Sequence, residues 1–314
     1  MTLYLYSLFF LNNAGTMNTL LENPRQKVAV YCARGLGDGL LSMVVGNNLQ
    51  RSGHEVTLFS SPIKGLETLF PHITVKPFSP DELLSSVLSE YDLVVAADYS
   101  VVSHHREIHP NMQVLEEGRF NKKRNMVDNL TQACKEHLSV GSPTEENGVQ
   151  VPKGWIFRQN SKRVLLHPES AASEKNWPEE KFIRLARRIE KQGYTPVFIC
   201  SPEERVKWQS LLSGEFELPC FTELVELASY VYESGYMIGN DSGVGHLASL
   251  FHIPTVSLFA RFSYSRLWRP GWGRGVVVTP FVPLPGARYK QKYWKSFLTV
   301  SKVLRAFRNL AREK

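Results

Sequence analysis

Residues 236–260, Y-M-I-G-N-D-S-G-V-G-H-L-A-S-L-F-H-I-P-T-V-S-L-F-A, leave few folds open. An apolar run over 236–238 has the length of a buried strand and stops at Gly239-Asn240. A small-residue loop follows, then a helical segment to Phe251, a break at Pro254 and a second apolar strand over 255–259. Asp241 or Ser242 is placed to cap the helix, which turns free backbone N–H groups and the positive dipole end toward the loop. Gly243 and Gly245 keep side chains away, so an anion can approach the backbone closely. His246 falls on the first helical turn, aimed at the same spot. The pattern suits a phosphate or diphosphate, although many strand–turn–helix units of this kind bind nothing.

The same alternation recurs along the chain. Strands are expected over 27–33, 56–59, 91–97, 163–167, 196–200 and 276–279, with a further edge strand over 73–75. Helices are expected over 40–51, 81–88, 126–138, 179–191, 203–212, 223–233 and 300–312. Residues 103–121, rich in His and charge, read as a long loop. Residues 140–154, containing G-S-P-T-E-E-N-G-V-Q-V-P-K-G, are the best linker. The expected organisation is an N-terminal Rossmann-like domain over 27–150 and a C-terminal one over 151–314, each α/β with a parallel sheet. Ligands then belong at the carboxyl ends of the strands, in the cleft separating the two. Residues 1–26 are expected to be a disordered extension: their apolar start lacks the basic flank and small-residue cleavage site of a signal peptide.

Bulk properties narrow the class. At 314 residues the chain is long enough for about two domains, and 43% hydrophobic with 21% charged residues is an ordinary globular composition. No apolar run approaches the ~18–20 residues that span a bilayer. Cys32, Cys134, Cys200 and Cys220 show no metal-ligand spacing, and Cys32 and Cys200 read as core residues of a protein from a reducing cytoplasm. A net charge of +7 favours anionic partners: nucleotides, phosphorylated lipids, a membrane surface or nucleic acid.

Two further motifs join the 236–260 stretch. The first, R-G-L-G-D-G-L over 34–40, departs from a dinucleotide-binding loop: Leu40 stands at its third glycine, and Ser60-Ser61 follow the second strand where a ribose-binding acid belongs. A nicotinamide oxidoreductase is thereby disfavoured. What remains is a glycine turn that sets Asp38 at a helix start, as an N-cap or as a general base. The second, H-P-E-S-A-A-S-E-K-N-W-P over 167–178, runs from a strand through Ser170, Ser173 and Lys175 to a helix start at Trp177-Pro178. Hydroxyls and an ammonium there suit a diphosphate, while W-P alone is a good helix start with a packing tryptophan.

Together these motifs, with S-P-E-E over 201–204 and N-D-S-G-V-G-H-L-A over 240–248, resemble glycosyltransferase family 9, the heptosyltransferases of lipopolysaccharide core biosynthesis. The resemblance implies a GT-B-type fold of two facing Rossmann-like domains, with the nucleotide-sugar held by the second and the acceptor by the first. It further implies inverting transfer that needs no metal or other cofactor, the nucleotide-sugar being a co-substrate. The family's catalytic aspartate falls on Asp38 and its phosphate-binding lysine on Lys175. Its donor-site residues fall on Asp241, Ser242, Gly243, Gly245 and His246, a phosphate-contacting hydroxyl on Ser170, and a ribose-contacting acid on Glu203 or Glu204. The reaction expected is transfer of a sugar, heptose from ADP-heptose in the first instance, to a lipopolysaccharide core-type acceptor. Lys175, the amides of 242–245 and a protonated His246 would stabilise the leaving diphosphate, and Asp38 would take the acceptor's proton. A cytoplasmic location is implied, with peripheral contact at the inner face of the inner membrane as a secondary expectation.

Several residues cut across this reading. Glu169 stands where the family usually has a glycine, and a carboxylate there repels a diphosphate unless it turns away or pairs with Lys175. A same-fold transferase with another nucleotide-sugar or acceptor, and a non-catalytic nucleotide-sugar-binding relative, therefore stay open. His104, His105 and Arg106 lack the family's usual acceptor pattern and read as loop residues. Arg106, Arg119, Lys122, Lys123 and Arg124 are candidates for a phosphorylated lipid, or a solvated face. Arg261, Arg266, Arg269 and Arg274 alternate with Trp268 and Trp272, as a loop over an anionic donor or, less simply, a base-stacking surface. The basic amphipathic segment 300–312 is either a closing helix that packs back on the first domain or a lipid-facing one.

Overall fold

The computed structural model describes residues 25–32, 35–78, 81–96, 109–115, 120–281 and 293–312. The chain divides into two compact units. The first takes Met1–Arg34, Leu41–Phe120 and Asp128–Val149; the second takes Gly35–Leu40, Asn121–Val127 and Gln150–Lys314.

The first unit is built on strands β1 (Lys27–Tyr31), β2 (Glu55–Phe59), β3 (Thr74–Lys76), β4 (Leu93–Ala96) and β5 (Met112–Val114). Its helices are α1 (Leu36–Arg51, whose first turn belongs to the second unit), α2 (Ser61–Lys64), α3 (Asp81–Leu88) and α4 (Met126–His137). The sheet runs β3-β2-β1-β4-β5 with every pair parallel. Strands covered on both faces must be apolar throughout, and V-A-V-Y of β1 and L-V-V-A of β4 are buried at every position.

The second unit comprises β6 (Asn160–His167), α5 (Glu179–Glu190), β7 (Thr195–Phe198), α6 (Arg205–Leu212), α7 (Leu224–Tyr232) and β8 (Ser234–Asn240). It continues through α8 (Gly243–Leu250), β9 (Thr255–Leu258), α9 (Phe262–Trp268), β10 (Gly275–Val278) and α10 (Val300–Arg312). Its parallel sheet runs β10-β9-β8-β6-β7. Phe182, Leu185, Ala186 and Ile189 of α5 lie on one face at helical spacing and are fully buried. Trp177, Trp208 and Trp294 complete the same core.

Strand order locates where a ligand can bind. In an open parallel sheet the crevice forms where chain direction across the sheet reverses, at the carboxyl ends of the strands. In the first unit that point lies at β1 and β4, and β1 leads into the turn carrying Asp38. In the second it lies at β6 and β8, which lead into the 168–178 and 241–246 loops. The sequence motifs occupy both switch points.

Four features differ from the sequence expectation. Helix α1 starts at Leu36, four residues early, because Gly37 is drawn into its first turn by packing described below. Strand β5 crosses the expected 103–121 loop; three half-buried residues at a sheet edge carry too little pattern to be read. Helix α9 occupies part of the Arg/Trp-rich stretch. Finally, α10 turns Val303, Leu304, Phe307 and Leu310 into the second unit's own core, where Phe307 meets Tyr194 and Tyr236 edge-on at 5.0 and 5.3 Å. Each such side chain contributes roughly 1.5–3 kcal/mol. The apolar face that the sequence offers to lipid or to the first domain is built into that core instead. Among the described residues no helix is long and apolar enough to cross a membrane.

Candidate active site

The loop joining β6 to α5 is fixed by its neighbours. Asn240, nearly fully buried at the end of β8, donates from Nδ2 to Pro168 O (2.6 Å) and accepts at Oδ1 from Trp177 N (3.1 Å), clamping both ends. Trp177 is the packing tryptophan that W-P suggested, edge-on to Phe182 at 5.1 Å, with Nε1 donating to Leu298 O at 2.9 Å. The middle of the loop is a single 3-10 turn, Ser173–Lys175. Trp294 Nε1 donates to Glu174 O (3.1 Å) and Lys295 Nζ to Ser173 O (3.0 Å), so the segment around 294–298 braces this turn.

Lys175 leaves the turn toward β8. Its ammonium donates to Asp241 Oδ2 at 2.9 Å and lies 5.3 Å from the ring centre of Tyr264. Partial burial works against its charge, but hydrogen bonding and attraction to Asp241, with Tyr264 adding to them, hold its pKa above the ordinary value. Asp241 is the more enclosed partner, 13% exposed against 39% for the lysine. Burial pushes its carboxyl up more than Lys175 draws it down. The lysine charge is thus answered by a carboxylate reluctant to carry its own.

Ser242 occupies the N-cap of α8 with extended backbone, yet its side chain makes no capping bond. Its hydroxyl instead shares a 3.0 Å hydrogen bond with Nδ1 of His167, the last residue of β6. The first N–H groups of α8 thus receive no capping bond from the Ser242 side chain, and the positive dipole end of the helix favours an anion. His246, on the next turn, is buried, and its Nδ1 has no hydrogen-bond partner. Burial pushes its pKa down to about 4 despite a bond to the Trp268 backbone. His246 is therefore neutral near pH 7, which corrects the expectation of a protonated imidazole. The cation facing the loop is Lys175.

The turn Gly35–Leu40 belongs to this same unit, and its contacts explain its glycines. A Cβ on Gly243 would stand 2.8 Å from Leu36 Cβ and 2.9 Å from Gly37 N. One on Gly37 would stand 3.0 Å from His246 Cδ2. Two glycine backbones touching in this way bring the amino ends of α1 and α8 to one place, with both helix dipoles positive there. Asp38 lies half-buried in the first turn of α1, not at its N-cap, and its carboxylate folds back over Gly35, where a Cβ would collide with it.

Other expected residues take distinct places. Ser170 donates its single hydroxyl proton within the loop, to Asn176 Oδ1 (2.7 Å) or Ala172 O (2.9 Å). Glu204 accepts from Ser201 N at 3.0 Å, whereas Glu203 stands exposed, its carboxyl held below the usual range by its own backbone N–H and by Ser201. Glu169 does not meet Lys175 at all; it accepts from Lys207, Trp208 and Asn176. Trp272 is buried, with its backbone N–H donating to Ser249 Oγ, and Arg274 reaches Leu310 O, so neither belongs to a stacking surface. Arg261, Arg266 and Arg269 remain exposed, and so do Lys122, Lys123 and Arg124. His104, His105, Arg106 and Arg119 lie outside the described residues. Among the described residues no three His, Cys, Asp or Glu side chains gather as a metal-holding group. Sequence reasoning missed His167, Asn176, Asn240, Trp294 and Tyr264. His167, Asn176 and Asn240 carried a signal, being part of quoted motifs.

This geometry can be set beside known proteins. The family model for glycosyltransferase family 9 (heptosyltransferase) matches residues 119–278, which contain the β6, β8 and α8 site entire. The chain belongs to glycosyltransferase family 9. Lipopolysaccharide heptosyltransferase 3 of Escherichia coli K12 is 25% identical over 127 residues, a match covering 36% of this chain and 35% of that protein. The match thus spans about a third of the curated relative's length. Among solved structures, the family 9 glycosyltransferase of Veillonella parvula superposes with TM-score 0.70 at 18% identity, covering 93% of this chain and 98% of that one. E. coli ADP-heptose lipopolysaccharide heptosyltransferase II gives 0.69 at 15% identity, covering 91% and 98%. At such identities the superpositions speak for the fold, which is α/β of GT-B type with two Rossmann-like parallel sheets.

Proposed function

We propose that the protein is an inverting glycosyltransferase that moves heptose from ADP-heptose to a lipopolysaccharide core-type acceptor at the cytoplasmic face of the inner membrane. The observation that carries this reading is the meeting of the α1 and α8 amino ends beside an ammonium. Breaking a sugar–phosphate bond builds charge on the departing diphosphate, and preorganised dipoles and cations stabilise charge of that kind. Lys175 and the first amides of α8 supply them. Asp241 hands part of its share of the lysine to the phosphate, which its raised pKa makes easier. The neutral His246, with one ring nitrogen unpartnered, is a hydrogen-bonding group for the donor and not a counter-charge. Ser170 and Glu203 are the contacts proposed for phosphate and ribose. The leaving group is stabilised by the chain's own residues, so transfer is expected to need no metal.

Asp38 is the proposed base. Held on the first turn of α1 beside the α8 amino end, it is suited to take the acceptor hydroxyl's proton as that oxygen attacks the sugar. The donor and acceptor named in the E. coli relatives motivate the substrates proposed here. Purified protein incubated with ADP-heptose and extracted core lipid should yield a product heavier by one heptose, read by mass spectrometry and unaffected by EDTA. Asp38→Asn should lower turnover by about 10²–10⁴-fold while ADP still binds. Full turnover in that variant would remove Asp38 as base, and an absent product with ADP-heptose alone among several nucleotide-sugars would move the donor assignment to another sugar.

A further inference from the structure

Glu169 is a carboxylate only 6% exposed, one residue from the hydroxyl proposed to meet a phosphate. An uncompensated charge there would oppose a diphosphate, and a buried charge survives only when paired and hydrogen-bonded. Its surroundings meet that requirement fully. Lys207 Nζ donates to Oε1 at 2.7 Å and Trp208 Nε1 to the same oxygen at 2.9 Å, both from α6. Asn176 Nδ2 donates to Oε2 from the far end of the same loop. The other end of the Asn176 amide accepts from Ser170 Oγ at 2.7 Å. Lys207 also bonds Glu179 at 2.7 Å, on the first turn of α5, so a single ammonium ties the loop to the helices on both sides.

We propose that Glu169 is a positioning residue of the phosphate loop, fixing the Ser170 hydroxyl and the turn carrying Lys175 through Asn176 and α6, with its charge neutralised by Lys207. The proposal rests on the donor reading above. The chain of contacts is Lys207 and Trp208 to Glu169, Glu169 to Asn176, Asn176 to Ser170. The carboxylate is the one group in it with two acceptor oxygens for three donors. Removing it leaves the Trp208 and Asn176 donors without acceptors and frees the loop that they hold.

The test is the sign of the effect on ADP binding, measured calorimetrically with the full chain. A carboxylate that repels the diphosphate predicts tighter ADP binding in Glu169→Gly. A positioning carboxylate predicts weaker binding, by on the order of tenfold, with the acceptor KM unchanged. Glu169→Gln keeps the shape and one acceptor oxygen and should fall between Gly and wild type. Combining Glu169→Gly with Lys207→Met should weaken ADP binding no further than Glu169→Gly alone, because Lys207 reaches the phosphate loop through Glu169, its second contact, to Glu179, lying on α5. Adenosine, which lacks phosphates, should bind the variants as it binds wild type; equal losses for adenosine and ADP would mean general damage and overturn the proposal. Tighter or unchanged ADP binding in Glu169→Gly overturns it as well. Failure of the wild type itself to bind ADP would instead overturn the donor reading beneath it.

Discussion

Acidification from pH 7 to pH 5 is expected to destabilise the second unit far more in the wild type than in a variant lacking His167 and His246. Both imidazoles are enclosed, and burial holds both pKa values at about 4 against an ordinary 6.5. A folded-state pKa below the unfolded one gives stability that is whole above the unfolded value and lost as pH falls toward the folded one. Each histidine binds a proton in the unfolded chain by pH 5 but stays neutral in the fold. Linkage then gives about 2 kcal/mol lost per histidine, and about 4 kcal/mol for the pair. That is a large part of the 5–15 kcal/mol typical of a domain. Asp241 acts in the opposite sense: its raised pKa favours the folded state as pH falls, and it is present in both proteins, so it cancels in the comparison. The variant is His167→Asn with His246→Gln, the first keeping an acceptor where Nδ1 meets Ser242 and the second reaching to where the other ring nitrogen meets the Trp268 backbone. All six tryptophans lie in the second unit, so urea unfolding followed by tryptophan fluorescence reports that unit alone. If wild type and variant lose the same stability over this interval, the histidines are charged in the fold and the reasoning fails.

The joint of α1 and α8 makes two glycines one residue apart respond differently. Gly243→Ala should cost about 1–3 kcal/mol by overpacking, because its Cβ meets Leu36 Cβ and the Gly37 backbone, and transfer should fall with it; Gly245→Ala, whose nearest neighbour is Pro270 Cγ at 3.7 Å, should be tolerated. Equal urea midpoints for the two variants would show that the helix ends are not in contact. Trp294→Phe keeps the ring but removes the N–H that braces Glu174, leaving Lys175 less well placed. It should cost about 1 kcal/mol and raise the donor KM several-fold with kcat less affected, and an unchanged donor KM would sever the brace from the site.

The sequence was readable where one element decides its own structure. Buried parallel strands such as β1 and β4 are apolar at nearly every position, and α5 repeats its core residues at helical spacing, so neither depends on a partner for its pattern. What stayed hidden depends on contacts distant in sequence. Asn240 can be seen to end a strand, but not to clamp Pro168 and Trp177 together. Glu169 looked like a charge in the wrong place because its compensation comes from Lys207 and Trp208 on another helix. His246 looked like a cation because nothing in G-V-G-H reports how deeply the imidazole is enclosed. The glycines of R-G-L-G-D-G-L misled in a more instructive way. Read locally they stop a helix, since glycine weakens one by about 1 kcal/mol per residue; in the fold they let one begin. Gly37 lies against His246 and the Gly243 backbone, so any side chain there would force the amino ends of α1 and α8 apart. The cost in helix propensity is offset by close approach, and that approach brings Asp38, on the first turn of α1, to the end of the helix proposed to carry the anion site.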